Sequence, residues 1–409
     1  MTNEVNEKKL VFFLNWLISQ EVGLTGGDRI WIELSKRWKN LCDLTIVTSI
    51  EGIKIAEKNL PSGTRMIEAS REIRSRNLIS VSNLLKNTIL RVIDGVLFLP
   101  KYVRKNKVDY LYSSSDFLAD SFPAFVAKLL NPEIVWIAGF YLFAPLPWDK
   151  NSPYRGKSFF RGFVYWLEQR LPHFIINNFA DFVFVTSVPD VKHFITKKRD
   201  KSRIVVVQGG VDVKESEKYL KGKVIPLEKR KYLACFVGRL HYQKGVLELI
   251  DIWKEVVEKK KDAKLAIVGN GVLKKEVIKK IKKCGLENNI DVLGFKDGRE
   301  KYEIFKNSKI ILHPAIFDSG GMAAAEGMAW GLPGVSFDLE SLRDYYPRGM
   351  IKTPCFDLSK FAQNIIDLDR DQNLYRYLSQ QAVDLIYSEW DWEKRAKSIF
   401  EKVFLTSMC

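Results

Sequence analysis

Acidic residues are in short supply in this chain: 49 Asp and Glu stand against 65 Lys and Arg over 409 residues, a net charge of +16. That surplus points to an anionic partner, and by itself it does not choose among nucleic acid, an anionic membrane surface and a phosphate-bearing substrate. Cysteine is sparse too. Cys42, Cys235, Cys284, Cys355 and Cys409 are odd in number and never paired as C-x-x-C, which excludes a readable disulfide framework or zinc site and fits a reducing cytosol. The four histidines, His173, His193, His241 and His313, have no metal-ligand spacing to one another and read as structural. No Asp-x-Asp pair follows a predicted strand to hold a divalent ion on a diphosphate. The longest stretch without a charge, Ile134 to Trp148, is about half a dozen residues short of a bilayer span and contains Pro145 and Pro147, so no transmembrane helix is expected. The lead MTNEVNEKK is acidic and short, with no small-residue cleavage site, unlike a secretory signal.

What is present is the material of a large globular core: 46% hydrophobic and 12% aromatic residues, in a chain long enough for two or three domains. Short apolar, β-branched or aromatic runs recur between helical patterns. LVFFLNWLI, with strand one over Leu10 to Leu17, is followed by DLTIVTSI, VDYLYSS, EIVWIAG and DFVFVTSV. That is βα alternation around a buried parallel sheet. RIVVVQGGVDV ends in a Gly pair and the alternation restarts with KYLACFVGRL, which places a domain boundary near Gly209. The second half continues with helices over Leu247 to Lys260 and Val272 to Lys283 and with the strands KLAIVGNG, IDVLGF, KIILHPA and GVSFD. The expected fold is therefore α/β with two Rossmann-like domains: residues 1–208, and residues 209–388. An amphipathic helix with leading Trp390 and Trp392, over about 389–409, is expected to pack back on the first domain.

Three constellations could carry chemistry. Gly238-Arg239-Leu240 and Gln243-Lys244-Gly245 put two cations at a strand-to-helix turn, a place that suits a diphosphate. Solvated loop cations are the plain alternative. Asp318 and Glu326 are separated by seven residues across the Gly320-Gly321 turn that opens a helix, which directs both to one cleft, where sugar and ribose hydroxyls suit such carboxylates. The amides of Gly321, Met322 and Ala323 point out of that helix start. Here the alternative is helix capping, although capping does not call for the two glycines, whose missing side chains allow a ligand close. Gly327, costly in a helix, suggests tight packing on a neighbour. Lastly, Thr25-Gly26-Gly27-Asp28-Arg29 opens the helix Ile30 to Trp38 in the first half, where an ordinary βα turn is the competing reading.

The pieces GGVD (209–212), FVGRLHYQKG (236–245), AIVGNG (266–271), VLGF (292–295) and HPAIFDSGGMAAAEGMAWGLPGV (313–335) agree in order and spacing with the donor domain of retaining glycosyltransferases of family 4. The chain resembles that family of the GT-B fold class, in which two Rossmann-like domains face each other across a cleft. The resemblance implies a hexosyltransferase-type enzyme using a nucleotide-sugar donor, such as a UDP-sugar, and a glycan or polyprenyl-linked glycan acceptor. It puts Gly238, Arg239 and Lys244 at the diphosphate and Glu326, the second Glu of the family's E-x7-E signature, at the ribose. Asp318 stands where the first Glu approaches the transferred sugar, one methylene shorter. Gly320 to Ala323 would bring amides to sugar and phosphate, and Gly26 and Gly27 would close over the donor. The His that family members often carry after the strand matched by EIVWIAG is missing, and Tyr141 is the nearest polar candidate on the acceptor side. With no metal expected, Arg239, Lys244 and the helix start would neutralise the leaving group in a front-face transfer with retention.

Residues 140–179 interleave aromatics with Arg155, Lys157, Arg161 and Arg170, a mixture that suits contact with an anionic membrane, or a core face. The expected location is cytoplasmic, peripheral on the cytoplasmic face of the membrane where that contact is made. Two other readings stay open: another GT-B sugar-nucleotide enzyme such as an epimerase, and a catalytically idle nucleotide-sugar-binding protein. No nucleic-acid module is recognisable, and the run KKEVIKKIKK (274–283) reads as a solvated helix face.

Overall fold

Strand β1 (Lys9–Leu14, KLVFFL) has five consecutive buried residues, as a strand covered on both faces requires. It is shorter than the sequence pattern suggests because the backbone amides of Asn15 and Trp16 both donate to Asp120 Oδ1, each at 2.7 Å, instead of continuing the ladder. Leu17 lies outside the described residues. The computed structural model describes residues 8–16, 25–70, 81–149, 152–154, 156–318 and 320–404.

Around β1 runs an all-parallel seven-stranded sheet in the order β3-β2-β1-β4-β5-β6-β7, with β2 (Asp43–Ser49), β3 (Arg65–Ser70), β4 (Tyr110–Ser113), β5 (Val135–Gly139), β6 (Phe182–Val185) and β7 (Ile204–Val206). Helices α1 (Gly26–Trp38), α2 (Ile50–Asn59), α3 (Val81–Asn106), α4 (Leu118–Leu130), α5 (Phe159–Glu168) and α6 (Arg170–Phe179) connect the strands. Phe13, Trp136, Val183 and Ile176 belong to the core between this sheet and its helices.

The second sheet has six parallel strands in the order β10-β9-β8-β11-β12-β13. They are β8 (Tyr232–Val237), β9 (Leu265–Val268), β10 (Ile290–Gly294), β11 (Ser308–His313), β12 (Gly334–Phe337) and β13 (Met350–Thr353). Its helices are α7 (Lys214–Lys221), α8 (Val246–Lys259), α9 (Lys274–Lys283), α10 (Gly298–Lys306), α11 (Met322–Met328), α12 (Glu340–Tyr345), α13 (Leu358–Arg370) and α14 (Gln372–Glu389), with α15 (Trp392–Phe404) at the end. Its core gathers Phe236, Trp253, Ile267 and Phe361 on one face, and Ile311, Met328 and Trp390 on the other.

The chain divides into two units. The first takes the chain up to Pro147, then Gly156–Gln208, then the segment from Ala396; the second takes Trp148–Arg155 and Gly209–Arg395. The last helix is thus shared. Within the second unit, Trp390 stacks on Tyr346 and a Cβ on Gly210 would lie 2.6 Å from the Trp392 ring. Within the first, Phe400 and Phe404 close on Trp38, whose Nε1 donates to the Ala396 carbonyl at 2.9 Å. Among the described residues no helix is long and apolar enough to cross a membrane.

In each sheet the strand order reverses once, between β1 and β4 and between β8 and β11. In open α/β sheets, ligands bind beyond the carboxyl ends of strands at such reversals. The loops that follow β8 and β11, and the one that follows β4, lie at these reversals.

Candidate active site

In the second unit the loop after β8 folds as a 3-10 turn, Tyr242–Lys244, and Gly245 follows with φ of 61°. A Cβ there would fall 1.9 Å from the Pro314 carbonyl oxygen, so only glycine lets this loop lie against the loop after β11. The amides of Ile316 and Phe317 donate to the Gln243 carbonyl at 3.0 and 3.2 Å and tie the two loops together. This seam delivers Lys244 to Asp318, with Nζ 2.5 Å from Oδ2.

Asp318 is held from several sides. His313, the last residue of β11, puts Nε2 3.0 Å from the same Oδ2, and the Gly320 amide donates to Oδ1 at 3.3 Å. Ser341 Oγ donates to the Asp318 carbonyl at 2.6 Å. Burial alone would push this carboxyl up, but the Lys244 charge and the close approach of His313 outweigh it and hold Asp318 well below the usual carboxylate range. Arg239 differs from Lys244: it is exposed and has no acidic partner among the described residues.

Helix α11 starts after Gly321 (φ 58°), where a Cβ would sit 2.9 Å from His313 Nε2. Tyr346 braces this start: its hydroxyl donates to the Gly321 carbonyl at 2.6 Å and accepts from the Ala325 amide at 3.2 Å. A Cβ on Gly320 would strike the Tyr345 ring at 2.8 Å, and one on Gly327 would meet Ile311 of β11 at 2.9 Å. Met322 fills the space a side chain at Gly209 would need. Glu326, in the second turn of α11, has its own cation: Lys301 Nζ of α10 lies 2.9 Å from Glu326 Oε2 and 2.9 Å from Asp297 Oδ1. The structure therefore brings Lys244, Asp318, Gly320 and Gly321 into one contact network, with Gly238 and Arg239 earlier on the loop that carries Lys244, and it pairs Glu326 separately.

Tyr154, from the 148–155 stretch, also belongs to this unit; Gln243 Nε2 donates to its hydroxyl at 3.4 Å. Burial raises the Tyr154 hydroxyl and the charge of Arg239 opposes that. Sequence reasoning takes His313 as structural, whereas it lies 3.0 Å from Asp318, and it does not single out Lys301, Tyr346 or Tyr154. His313 had a signal, its place at the end of a strand before the Asp318 loop, and Lys301 had one in sharing a helix face with Ile304 and Phe305.

In the first unit Gly26 and Gly27 form the first turn of α1, closed by a capping box between Thr25 and Asp28. A Cβ on Gly27 would lie 3.2 Å from Tyr141 Cδ2, so these two candidates adjoin. Tyr141 is buried, its hydroxyl bonded to that of Tyr112 and its carbonyl to Thr186 Oγ1. Nearby, Gln169 Nε2 donates to Asp116 Oδ2 at 2.8 Å and to the Leu142 carbonyl at 2.7 Å. Burial pushes Asp116 up to about 6, with the Gln169 hydrogen bond opposing. Among the described residues no cluster of three or more His, Cys, Asp or Glu is placed to hold a metal ion.

Known proteins resemble this chain in sequence and in fold. Residues 217–384 match the family "Glycosyl transferases group 1". An uncharacterised glycosyltransferase of Methanocaldococcus jannaschii is 26% identical over 284 residues, 66% of each chain. Poly(glycerol-phosphate) alpha-glucosyltransferase of Bacillus subtilis is 25% identical over 173 residues, 41% of this chain and 25% of that one. The chain thus spans from a quarter to about two thirds of the length of these curated relatives. Among solved structures, Anabaena HepE in complex with UDP and glucose superposes with a TM-score of 0.67 at 15% identity, covering 98% of this chain and 100% of that one. This likeness over nearly the whole chain identifies the fold as GT-B.

Proposed function

We propose that this chain, whose residues 217–384 match the group 1 glycosyltransferase family, transfers a sugar from a nucleotide-sugar donor, bound in the second unit, to a glycan or lipid-linked glycan. The observation that carries the reading is the seam between the loops after β8 and β11. It gathers Arg239, a cation without an acidic partner among the described residues, a lysine shared with a carboxylate, Lys244 with Asp318, and a glycine-lined helix start beside the strand-order reversal. A diphosphate takes the two cations and the amides of Gly320 to Ala323, and Glu326 accepts from the ribose hydroxyls. UDP-sugars are the first donors to test, since HepE was solved with UDP and glucose.

In the proposed reaction the glycosyl–phosphate bond breaks and an oxocarbenium-like sugar forms; the acceptor oxygen then bonds to the anomeric carbon on the face the phosphate leaves, and the departing phosphate oxygen takes the acceptor hydroxyl's proton, with retention and without a metal. Arg239 and Lys244 stabilise the charge that develops on the leaving phosphate. Gly26, Gly27 and Tyr141 shape the turn of the first unit assigned to the donor and acceptor side. Thermal-shift titration with UDP, GDP and ADP and their sugars tests this: one nucleotide class raises the melting temperature, and Lys244→Ala and Glu326→Ala abolish the rise. A ligand at 100 times its Kd stabilises by about 2.7 kcal/mol. No shift with any of them sinks the donor assignment.

The same proposal places the enzyme on an anionic membrane, peripheral on the cytoplasmic face. Phe159, Phe160, Leu167, Leu171 and Phe174 of α5 and α6 are exposed, beside exposed Arg161 and Arg170; Arg155 and the Lys157 side chain lie outside what the structure describes. Helix α3 supports it further. Among its described side chains the exposed ones are Leu85, Lys86, Ile89, Ile93, Leu97, Lys101, Arg104 and Lys105, all apolar or basic. An idle nucleotide-sugar binder is favoured only by the engagement of Asp318 with Lys244 and His313; saturable donor binding with no product on any acceptor supports that reading instead.

A further inference from the structure

Lys301 is 7% exposed, on a face of α10 otherwise made of Ile304 and Phe305. A lysine so placed is unusual, because this side chain is almost never fully buried unless paired. It is paired twice, at 2.9 Å to Asp297 four residues earlier on its own helix and at 2.9 Å to Glu326 on α11. Burial alone would lower its pKa; the charges of Glu326 and Asp297 more than reverse that, so the ammonium stays charged.

Helix stability does not account for this arrangement. A single exposed i,i+4 pair would serve α10 as well, and an apolar side chain of similar volume is usually no worse in such a position than a buried ion pair. What the lysine adds is a link between the two helices that flank β11, ending on one particular oxygen. Glu326 Oε2 is taken, while Oε1 has no protein hydrogen bond among the described residues and the side chain is 27% exposed. A glutamate has three rotatable bonds to immobilise when it binds a ligand; one already tethered through one oxygen presents the other at a fixed point.

We propose that Lys301 is a positioning residue for the donor, holding Glu326 so that its second carboxylate oxygen is presented to the ribose hydroxyls of a nucleoside diphosphate. The inference rests on the reading above that Glu326 faces the ribose, and the experiment separates the two. Calorimetric titration measures the Kd of UDP, GDP and ADP and of their 2′,3′-dideoxy counterparts for the full chain and for Lys301→Met, Lys301→Arg, Glu326→Gln and Asp297→Asn. The readout is the ratio of dideoxy to ribo Kd within each variant, which a loss of folded fraction does not move.

A hydrogen bond to a charged group corresponds to roughly a 10- to 100-fold preference for the ribose form in the unsubstituted protein. Glu326→Gln should reduce that preference, Lys301→Met should bring it below about 3-fold, Lys301→Arg should retain more of it than Met does, and Asp297→Asn should leave it in place. A Lys301→Met protein with the unsubstituted ratio overturns the inference even if it melts earlier, since that is the behaviour of a merely structural lysine. If Lys301→Met does not fold, a Lys301→Arg ratio no higher than that of Glu326→Gln overturns it instead. If Glu326→Gln keeps the full preference, or no nucleotide of the three binds, the ribose assignment itself falls and takes the inference with it.

Discussion

Arg239 and Lys244 lie five positions apart on one loop and differ in circumstance, and that difference makes their substitutions separable. Either change to Ala should slow transfer on the order of a hundredfold or more, the usual cost of removing one preorganised donor to a developing charge. Arg239 is exposed without an acidic partner, so its loss should leave the melting temperature within a degree or two. Lys244→Ala strips a buried carboxylate of its main cation and leaves His313 alone against Asp318. Breaking one side of a buried pair typically costs about 3 to 5 kcal/mol, so this variant should also melt markedly lower. Equal melting temperatures for the two variants would contradict the pairing. Sequence showed Arg239, Lys244, Asp318 and Glu326, because their glycine-marked turns stand out locally. It did not show which cation meets which carboxylate. Lys301 was lost among 65 Lys and Arg, and its partner lies 25 positions away on a helix reached only by crossing β11.

At the scale of elements, the continuous apolar runs announced parallel, doubly covered strands, and the Gly pairs announced the turns. Less legible was the 148–155 stretch, which belongs with the second unit although the strands on either side of it belong to the first; no local pattern encodes such an excursion. Helix α11 is a place where packing overrides propensity. Gly327 is poor in a helix interior, yet its missing Cβ is what lets α11 lie on Ile311. Gly327→Val should therefore lower stability by about 1 to 3 kcal/mol by denaturant titration, despite adding a side chain with better helix propensity. For α3, whose described exposed positions are apolar or basic, Ile89→Glu with Ile93→Glu should abolish co-sedimentation with anionic liposomes at low salt and leave binding of a nucleotide unchanged. Retention of the unsubstituted protein in the supernatant would remove the membrane from the proposal.

Over the whole molecule, the two units carry buried carboxylates shifted in opposite directions, and acid should act on them with opposite sign. In the first unit Asp116, pushed up to about 6 by burial, holds its proton in the folded state at pH values where the unfolded chain, with an ordinary value near 3.9, has released it. Between about pH 4 and 6 the folded state binds more protons, so stability falls as pH rises and is flat above, a loss of roughly 2 to 3 kcal/mol in all. Asn at this position can still accept from Gln169 and never ionises, so Asp116→Asn should be close to the unsubstituted protein near pH 4 and progressively more stable up to pH 7. In the second unit Asp318 is lowered: its contribution is full above the ordinary carboxylate range and is lost as pH falls through that range toward its folded value. Asp318→Asn should thus be destabilised at pH 7, with a deficit that shrinks on acidification. Hydrogen exchange of the amides of β4 and β5, and separately of β8 and β11, reads each unit in one experiment. Parallel pH profiles for Asp116→Asn and the unsubstituted protein in β4 and β5 would mean that Asp116 is ionised in the fold. The surroundings of Gln169 and Asp116 would then be wetter than their burial implies.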